Sequence, residues 1–307
     1  MRNLLSVGDL DTSELEGLID SAASIKEEMK AGRNLGLIKG RVVGLLFEKP
    51  STRTRTSFES AAFRLGGSPI YLPSNELQLS RGEPIEDTAR ILGGYLDVIV
   101  ARVYSDATVR KLARWSGVPV INALSDAEHP TQIISDFLAM KEAKGRLRGT
   151  KLAYIGDGDN VCNSLMLGAA LEGIDFAVAC PRGYEPDQRL LSRARKLGRG
   201  TGSKLEVVRR PETAARDADF LYTDVWVSMG EDAEKEKRMK DFQGYQINSE
   251  LIRAAKKGVK VLHCLPAHRG QEITEDAIEG PNSIVWEQGE DKLYGAAATL
   301  SWALSAN

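Results

Sequence analysis

Between Ser51 and Ser57 the chain reads Ser-Thr-Arg-Thr-Arg-Thr-Ser: three threonines, two serines and two arginines in seven residues. Hydroxyls and guanidiniums at that density are ligands for an anion, and the planar fork of arginine suits phosphate oxygens in particular. The stretch follows an apolar run, Val42–Phe47, that reads as a buried strand, and Pro50 keeps Lys49 out of helix. Beyond it Phe58, Ala61, Ala62 and Leu65 recur at the spacing of one helical face, and Gly66-Gly67 ends the helix. Ser51 to Arg55 thus occupy a strand-to-helix junction, where unpaired backbone N–H groups and the positive end of the helix dipole face outward. The simpler alternative is a capped helix with solvated arginines.

Four further clusters could do chemistry. His129-Pro130-Thr131-Gln132 opens a helix after a strand, and Arg102 ends another strand. His129 is one of only three histidines and suits proton or hydrogen-bond work near neutral pH. A zinc ligand is the rival use, but no second pair at metal spacing accompanies it. Gly156-Asp157-Gly158-Asp159-Asn160-Val161 joins a strand to a helix like a dinucleotide fingerprint. Val161 stands at the third glycine position, and the next strand ends in Cys180-Pro181-Arg182 without the acid that would hold a ribose. Asp224 ends a strand ahead of Ser228-Met229-Gly230, and His263-Cys264-Leu265-Pro266 ends another. Read alone, Cys264 is a small buried thiol, and the charged run Glu231–Lys240 is a solvated helix face.

The elements that must position these residues form a repeated strand–helix pattern. Strands are expected at 42–47, 69–72, 97–103, 118–122, 151–155, 175–179, 205–208, 219–223 and 259–263, with helices between them and a last helix over Leu293–Leu304. That alternation predicts an α/β protein of two domains, each a parallel β-sheet with helices on both faces. Gly145–Gly149 is a polar break between them. Each cluster follows a strand, where open parallel sheets bind ligands, so the site is expected in the cleft between the domains. With 307 residues there is chain enough for two cores. The net charge of −2 argues against nucleic acid and anionic membranes as partners, and no apolar run reaches the ~18 residues of a spanning helix. An acidic N-terminal region without a signal-peptide core, and three scattered cysteines (Cys162, Cys180, Cys264), point to a reducing, cytoplasmic setting.

Ser-Thr-Arg-Thr-Arg, His-Pro-Thr-Gln, Gly-Asp-x-x-Asn-Val, Asp224 with Ser-Met-Gly, and His-Cys-Leu-Pro occur in one order and spacing. As a set they resemble the aspartate/ornithine carbamoyltransferase family over nearly the whole chain. Ser-Met-Gly and His-Cys-Leu-Pro follow its ornithine-type pattern; the aspartate type carries basic residues and Pro-Leu-Pro. The resemblance implies a carbamoyl-phosphate-binding domain at 1–146 and an ornithine-binding domain at 147–289, with a C-terminal helix of about 290–307 returning to the first. It implies transfer of the carbamoyl group of carbamoyl phosphate to the δ-amine of L-ornithine, giving L-citrulline, in arginine metabolism; putrescine or N-acetylornithine is the alternative acceptor. Carbamoyl phosphate would be bound by Ser51, Thr52, Arg53, Thr54, Arg102, His129 and Gln132, with Gln78 and Ser80 coming from a neighbouring subunit of a homotrimer. Ornithine would be bound by Asn160, Asp224, Ser228, Met229, Cys264 and Leu265. Arg53, Arg102, His129 and Cys264 would be catalytic, with no metal and no cofactor. One departure stands out. Family members commonly read Glu-Asn-Arg near the C-terminus; this chain reads Glu290-Asp291-Lys292 and has no arginine after Arg269, so Lys292 is the one cation there that can take that role toward carbamoyl phosphate, the alternative being a solvated residue at the start of the last helix.

Overall fold

A computed structural model describes residues 2–228 and 232–305. The chain packs as two units: one runs to Leu138 and resumes at Glu290, the other is Ala139–Gly289.

The first unit holds β1 (Val42–Phe47), β2 (Ser68–Pro73), β3 (Val98–Arg102) and β4 (Val120–Leu124). Its helices are α1 (Thr12–Lys30), α2 (Thr52–Arg64), α3 (Ile85–Gly93), α4 (Asp106–Trp115) and the start of α5 (Pro130–Lys144). The strands are parallel in the order β2-β1-β3-β4. β3 and β4 are buried throughout and β1 at all but its first residue, as continuous apolar runs between two helical layers require, whereas β2 is a partly exposed edge. The N-terminal segment pairs with the other edge through a parallel bridge from Leu4 to Ile121.

In the second unit lie β5 (Lys151–Ile155), α6 (Asn160–Glu172), β6 (Asp175–Ala179), α7 (Gln188–Thr201), β7 (Leu205–Val208), α8 (Pro211–Ala215) and β8 (Phe220–Thr223). These are followed by α9 (Lys235–Asp241), α10 (Ser249–Ala254), β9 (Lys260–His263), α11 (Glu275–Ile278) and the start of α12 (Val285–Leu304). The order is β7-β6-β5-β8-β9, again all parallel. Ala153, Ile155, Leu221, Val261 and Ile273 belong to one apolar core beneath it.

The fold is the two-sheet α/β arrangement expected, with two corrections. The last helix begins at Val285, eight residues before the expected Leu293. Long-range contacts hold its first turns: Gln288 accepts from the His263 N–H at 2.9 Å, and buried Asp291 pairs with Lys26 at 2.7 Å. The charged run of α9 is not wholly a solvated face either. Arg238 is buried, pairs with Asp157, donates to the Trp226 carbonyl at 3.1 Å and lies over the Tyr184 ring.

In each sheet the chain starts at an inner strand, winds outward to one edge, then returns to the other side of its starting strand. The reversal falls between β1 and β3 in one sheet and between β5 and β8 in the other. Loops leaving the carboxyl ends of the two reversal strands part in opposite directions and open a crevice, the usual ligand position of such sheets.

Candidate active site

The crevice of the four-stranded sheet is built by the Ser51 junction and Arg102. Phe47, the last residue of β1, lies in register with Arg102, the last of β3. Ser51 caps α2, its hydroxyl accepting from the Thr54 N–H at 3.2 Å. The two arginines of the motif part company here. Arg55 pairs with Glu59 at 3.0 Å and stacks 3.5 Å from the Tyr71 ring, so it braces α2 against β2. Among the described residues no side-chain hydrogen bond or ion pair engages Arg53. Thr54 is buried and lines a small cavity with Ser57, Phe58, Thr131, Lys292 and Ala296.

His129 precedes α5 and is buried, with the Thr131 hydroxyl 3.4 Å from its Nδ1. Burial first, then the charges of Lys292 and Arg102, hold the imidazole well below its usual pKa. It is therefore neutral, able to donate one hydrogen bond to a polarised carbonyl without giving up a proton. The Lys292 ammonium, almost wholly buried, donates to Gln132 Oε1, while Gln132 Nε2 donates to Asp136 at 2.7 Å. Lys292 is thus no solvated residue: it sits beside Thr54 and Gln132. Gln78 and Ser80 stand apart, exposed on the turn after β2; among the described residues neither side chain bonds to Ser51, Arg53, Arg102, His129 or Lys292.

In the five-stranded sheet, β5 leads into Gly156–Asn160 and β8 into Asp224. The Thr223 hydroxyl donates to the Ile155 carbonyl at 2.6 Å, tying the two strand ends together. Asp159 caps α6 by accepting from the Val161 and Cys162 N–H groups, which leaves Asn160 as the first helical residue. Gly158 is packed: a Cβ there would lie 2.2 Å from the Pro186 nitrogen, and its N–H donates to the Tyr184 carbonyl at 2.9 Å. The glycine that would let a backbone approach a pyrophosphate in a dinucleotide site is instead spent on the chain's own backbone.

Asp224 is buried and accepts from the Val225 N–H at 2.7 Å. A carboxylate oxygen of Asp224, a ring nitrogen of His263 and the Cys264 sulfur lie within 4.8 Å of one another. Burial, followed by the charges of Asp224 and Asp157, pushes the Asp159 carboxyl well above its usual pKa. Asp157, Asp159 and Asp224 make this crevice acidic, with Asp157 offset by Arg238 and Asp159 driven toward its neutral form. Leu265 takes a left-handed φ of 60° that few non-glycine residues adopt. Its N–H donates to His263 Nδ1 at 2.8 Å, so the imidazole proton is on Nε2, directed at Glu272 3.1 Å away. Glu272 is fully buried and also accepts from the His268 N–H. Ser228 is half-buried; Met229 lies outside the described residues.

Sequence reasoning missed Asp159, Glu272, Asp157 and Arg238. Only Asp159 carried a signal, as an acid before a helix. Glu272 and Arg238 act through contacts distant in sequence that no local pattern reveals.

Both halves match known proteins in the same order. Residues 2–142 match the description "Aspartate/ornithine carbamoyltransferase, carbamoyl-P binding domain" and residues 148–303 match "Aspartate/ornithine carbamoyltransferase, Asp/Orn binding domain". The chain belongs to the aspartate/ornithine carbamoyltransferase family. Within it, the chain is 52% identical over 299 residues to the ornithine carbamoyltransferase of Methanosarcina mazei, covering 97% of this chain and 98% of that one. The solved structure of ornithine carbamoyltransferase from Pyrococcus furiosus superimposes with a TM-score of 0.96 at 44% identity, covering 100% and 98% of the two chains. That of the anabolic ornithine carbamoyltransferase from Campylobacter jejuni gives 0.94 at 37%, covering 100% of both.

Proposed function

We propose that this chain transfers the carbamoyl group of carbamoyl phosphate to the δ-amine of L-ornithine, releasing L-citrulline and phosphate. The observation that carries the reading is the pairing of a cationic crevice at one switch point with an acidic crevice at the other. An acyl phosphate needs the first; a substrate with two ammonium groups needs the second. Relatives matched over nearly their full length and named ornithine carbamoyltransferase support the same acceptor.

Ser51, Thr52, Arg53 and Thr54 hold the phosphate, with Arg102 and Lys292 as further cations. Arg53, Arg102 and neutral His129 donate toward the carbonyl oxygen, whose negative charge grows as the amine attacks. Gln132, already held between Lys292 and Asp136, takes the carbamoyl amide. Asp224 takes the α-ammonium, Asn160 the α-carboxylate, and Ser228 with the Met229 backbone completes that grip. The δ-amine is left near Cys264 and Leu265. It attacks uncharged, forms the new C–N bond, and the phosphate departs as the C–O bond breaks, itself able to accept the amine proton. An acyl phosphate is reactive enough that positioning, worth ~7–11 kcal/mol, supplies much of the rate.

Gln78 is exposed and apart from these residues, which fits its use by a neighbouring subunit. β2 is an edge strand, and Phe63, Ile70, Ile91 and Tyr95 of the same unit are exposed. We read the working form as a homotrimer, acting in the cytoplasm. Among the described residues no helix is long and apolar enough to cross a membrane. The deciding experiment measures carbamoylation of ornithine, putrescine, aspartate and N-acetylornithine by the purified protein, with its mass from light scattering. Ornithine should be used far in preference. Faster turnover of putrescine or N-acetylornithine would overturn the acceptor, and a monomer at full activity would overturn the trimer.

A further inference from the structure

Glu128, immediately before His129, is buried although nothing in the proposed chemistry uses it. Its Oε2 accepts from the Val7 N–H at 3.0 Å, and the Ser6 hydroxyl bonds to the same carboxyl group while accepting from the Gly8 N–H at 3.2 Å. Ser6 and Val7 are themselves buried. The N-terminal segment is fixed in turn along β4. Leu4 donates to Val120 O at 3.0 Å, the Asn122 N–H donates to Leu4 O at 2.8 Å, Asn122 Nδ2 reaches Leu5 O at 3.0 Å, and Val120 donates to the Asn3 side chain at 2.8 Å.

Strand β4 then runs into a tight turn, Ser125–Glu128, which delivers His129. The turn is closed by Ser125, whose N–H donates to the Glu128 carbonyl at 2.8 Å and whose hydroxyl accepts from the Glu128 N–H at 3.3 Å. One end of this loop is therefore set by its strand. The other is held by Ser125 and by the Glu128 side chain reaching across to the N-terminal segment. Local sequence does not require that contact: the two partners are 121 residues apart.

We propose that Glu128 is a positioning residue for His129, seating the loop that carries the imidazole against Ser6 and Val7. The inference rests on the carbamoyl-transfer reading above.

Around the Glu128 carboxyl stand Asp9 on the N-terminal segment and Asp106 on α4, and Arg110 of α4 feels its charge while pairing with Asp106 at 2.6 Å. Asp126, in the same turn, accepts from the Asp106 N–H at 2.7 Å. Burial above all, with help from Asp9 and Asp106, pushes Glu128 up to about 7, against the pull of Ser6 and Val7. Its folded form favours the neutral acid. The stability this group contributes is present in full below the ordinary carboxylate pKa and is lost as pH rises through about 7. Seating of the His129 loop is therefore tightest on the acid side of neutrality.

Three variants test this: Glu128→Gln keeps an acceptor but cannot ionise, Glu128→Leu removes the acceptor, and Val7→Pro removes the donor at a first helical position that proline tolerates. Steady-state constants are read from pH 6 to 8.5, alongside thermal unfolding over the same range. Glu128→Leu and Val7→Pro should raise KM for carbamoyl phosphate by about five- to tenfold, as for one lost buried hydrogen bond, and leave KM for ornithine unchanged. Glu128→Gln should already melt above the parent at pH 6, with the margin levelling off above about 7, while its kcat/KM for carbamoyl phosphate should track the parent's at pH 6 and gain on it as pH passes 7. Parent values of both KM in Glu128→Leu and Val7→Pro, or equal rises in the two KM, would overturn the positioning role. So would a Glu128→Gln protein whose pH profile coincides with the parent's. If Glu128→Leu fails to fold, the other two variants decide. A parent protein that makes no citrulline would defeat the carbamoyl-transfer reading instead, and the melting-temperature comparison would still judge the Glu128 contact.

Discussion

At the switch point of the four-stranded sheet stand Arg53 and Arg102, with Lys292 beside Thr54; at that of the five-stranded sheet stand Asp157, Asp159 and Asp224. The backbone plan is the same in both: an inner strand, an outward winding, a reversal, and a helix N-terminus at the crevice. A helix N-terminus favours anions in either place. In the first unit that bias is left open to a ligand and reinforced with cations. In the second it is consumed at home, because Asp159 caps α6, and the Asp224 carboxylate beside it adds the opposite sign. The fold supplies position; the side chains supply sign.

The comparison breaks most sharply at Arg53. Arg53→Ala should lower kcat by ~10²–10³ while circular dichroism stays that of the parent, since one donor to a developing oxyanion is worth that much. Near-parental citrulline formation would remove the cationic half of the contrast.

On the acidic side, Asp224→Asn should raise KM for ornithine by about 10- to 150-fold, the worth of a charge-assisted contact, and spare the affinity for carbamoyl phosphate. Equal losses for both substrates would mean that Asp224 serves the fold rather than the acceptor.

Lys292 allows a finer cut, since an ammonium is a point charge and lacks the planar fork of a guanidinium. Lys292→Ala should raise KM for carbamoyl phosphate by about tenfold, because Gln132 loses its donor as well. Lys292→Arg should keep that KM near the parent's or lower it. Unchanged kinetics in the alanine variant would leave the phosphate to Ser51–Thr54 and Arg102.

The smallest effect belongs to Arg55, two residues from Arg53 and oppositely employed. Arg55→Ala should leave kcat and both KM within about twofold of the parent, as an exposed pair with Glu59 and a stack on Tyr71 warrant. A loss comparable with that of Arg53→Ala would show the two arginines acting together on the ligand.

Much of this contrast was legible in sequence because both crevices are made by junctions, and junctions have local signatures. β5, β6 and β7 fall where alternation of apolar runs with helical periodicity puts them. Ser51 and Asp159 are caps whose residue types announce helix starts. What stayed hidden depends on partners distant in the chain. Gly289 and the acids around it read as loop, yet α12 already runs there because Lys26 takes up Asp291. Arg238 reads as one more charge in a charged run, yet Asp157, 81 residues earlier, draws it inside. Arg53 and Arg55 are indistinguishable by type; only Glu59 and Tyr71 separate them.

The pairing of Leu4 with Ile121 carries a consequence of another kind. An edge strand with open N–H and C=O groups is a template on which other chains can add, the first step of sheet-to-sheet aggregation. The four-stranded sheet has two such edges, and the first residues of the chain occupy one of them, along β4. Among the described residues, β2 is the edge of this sheet that stays unpaired. Trimming Asn3–Leu5 would free β4 to recruit strands from other molecules, so the soluble yield of N-terminally shortened protein should fall.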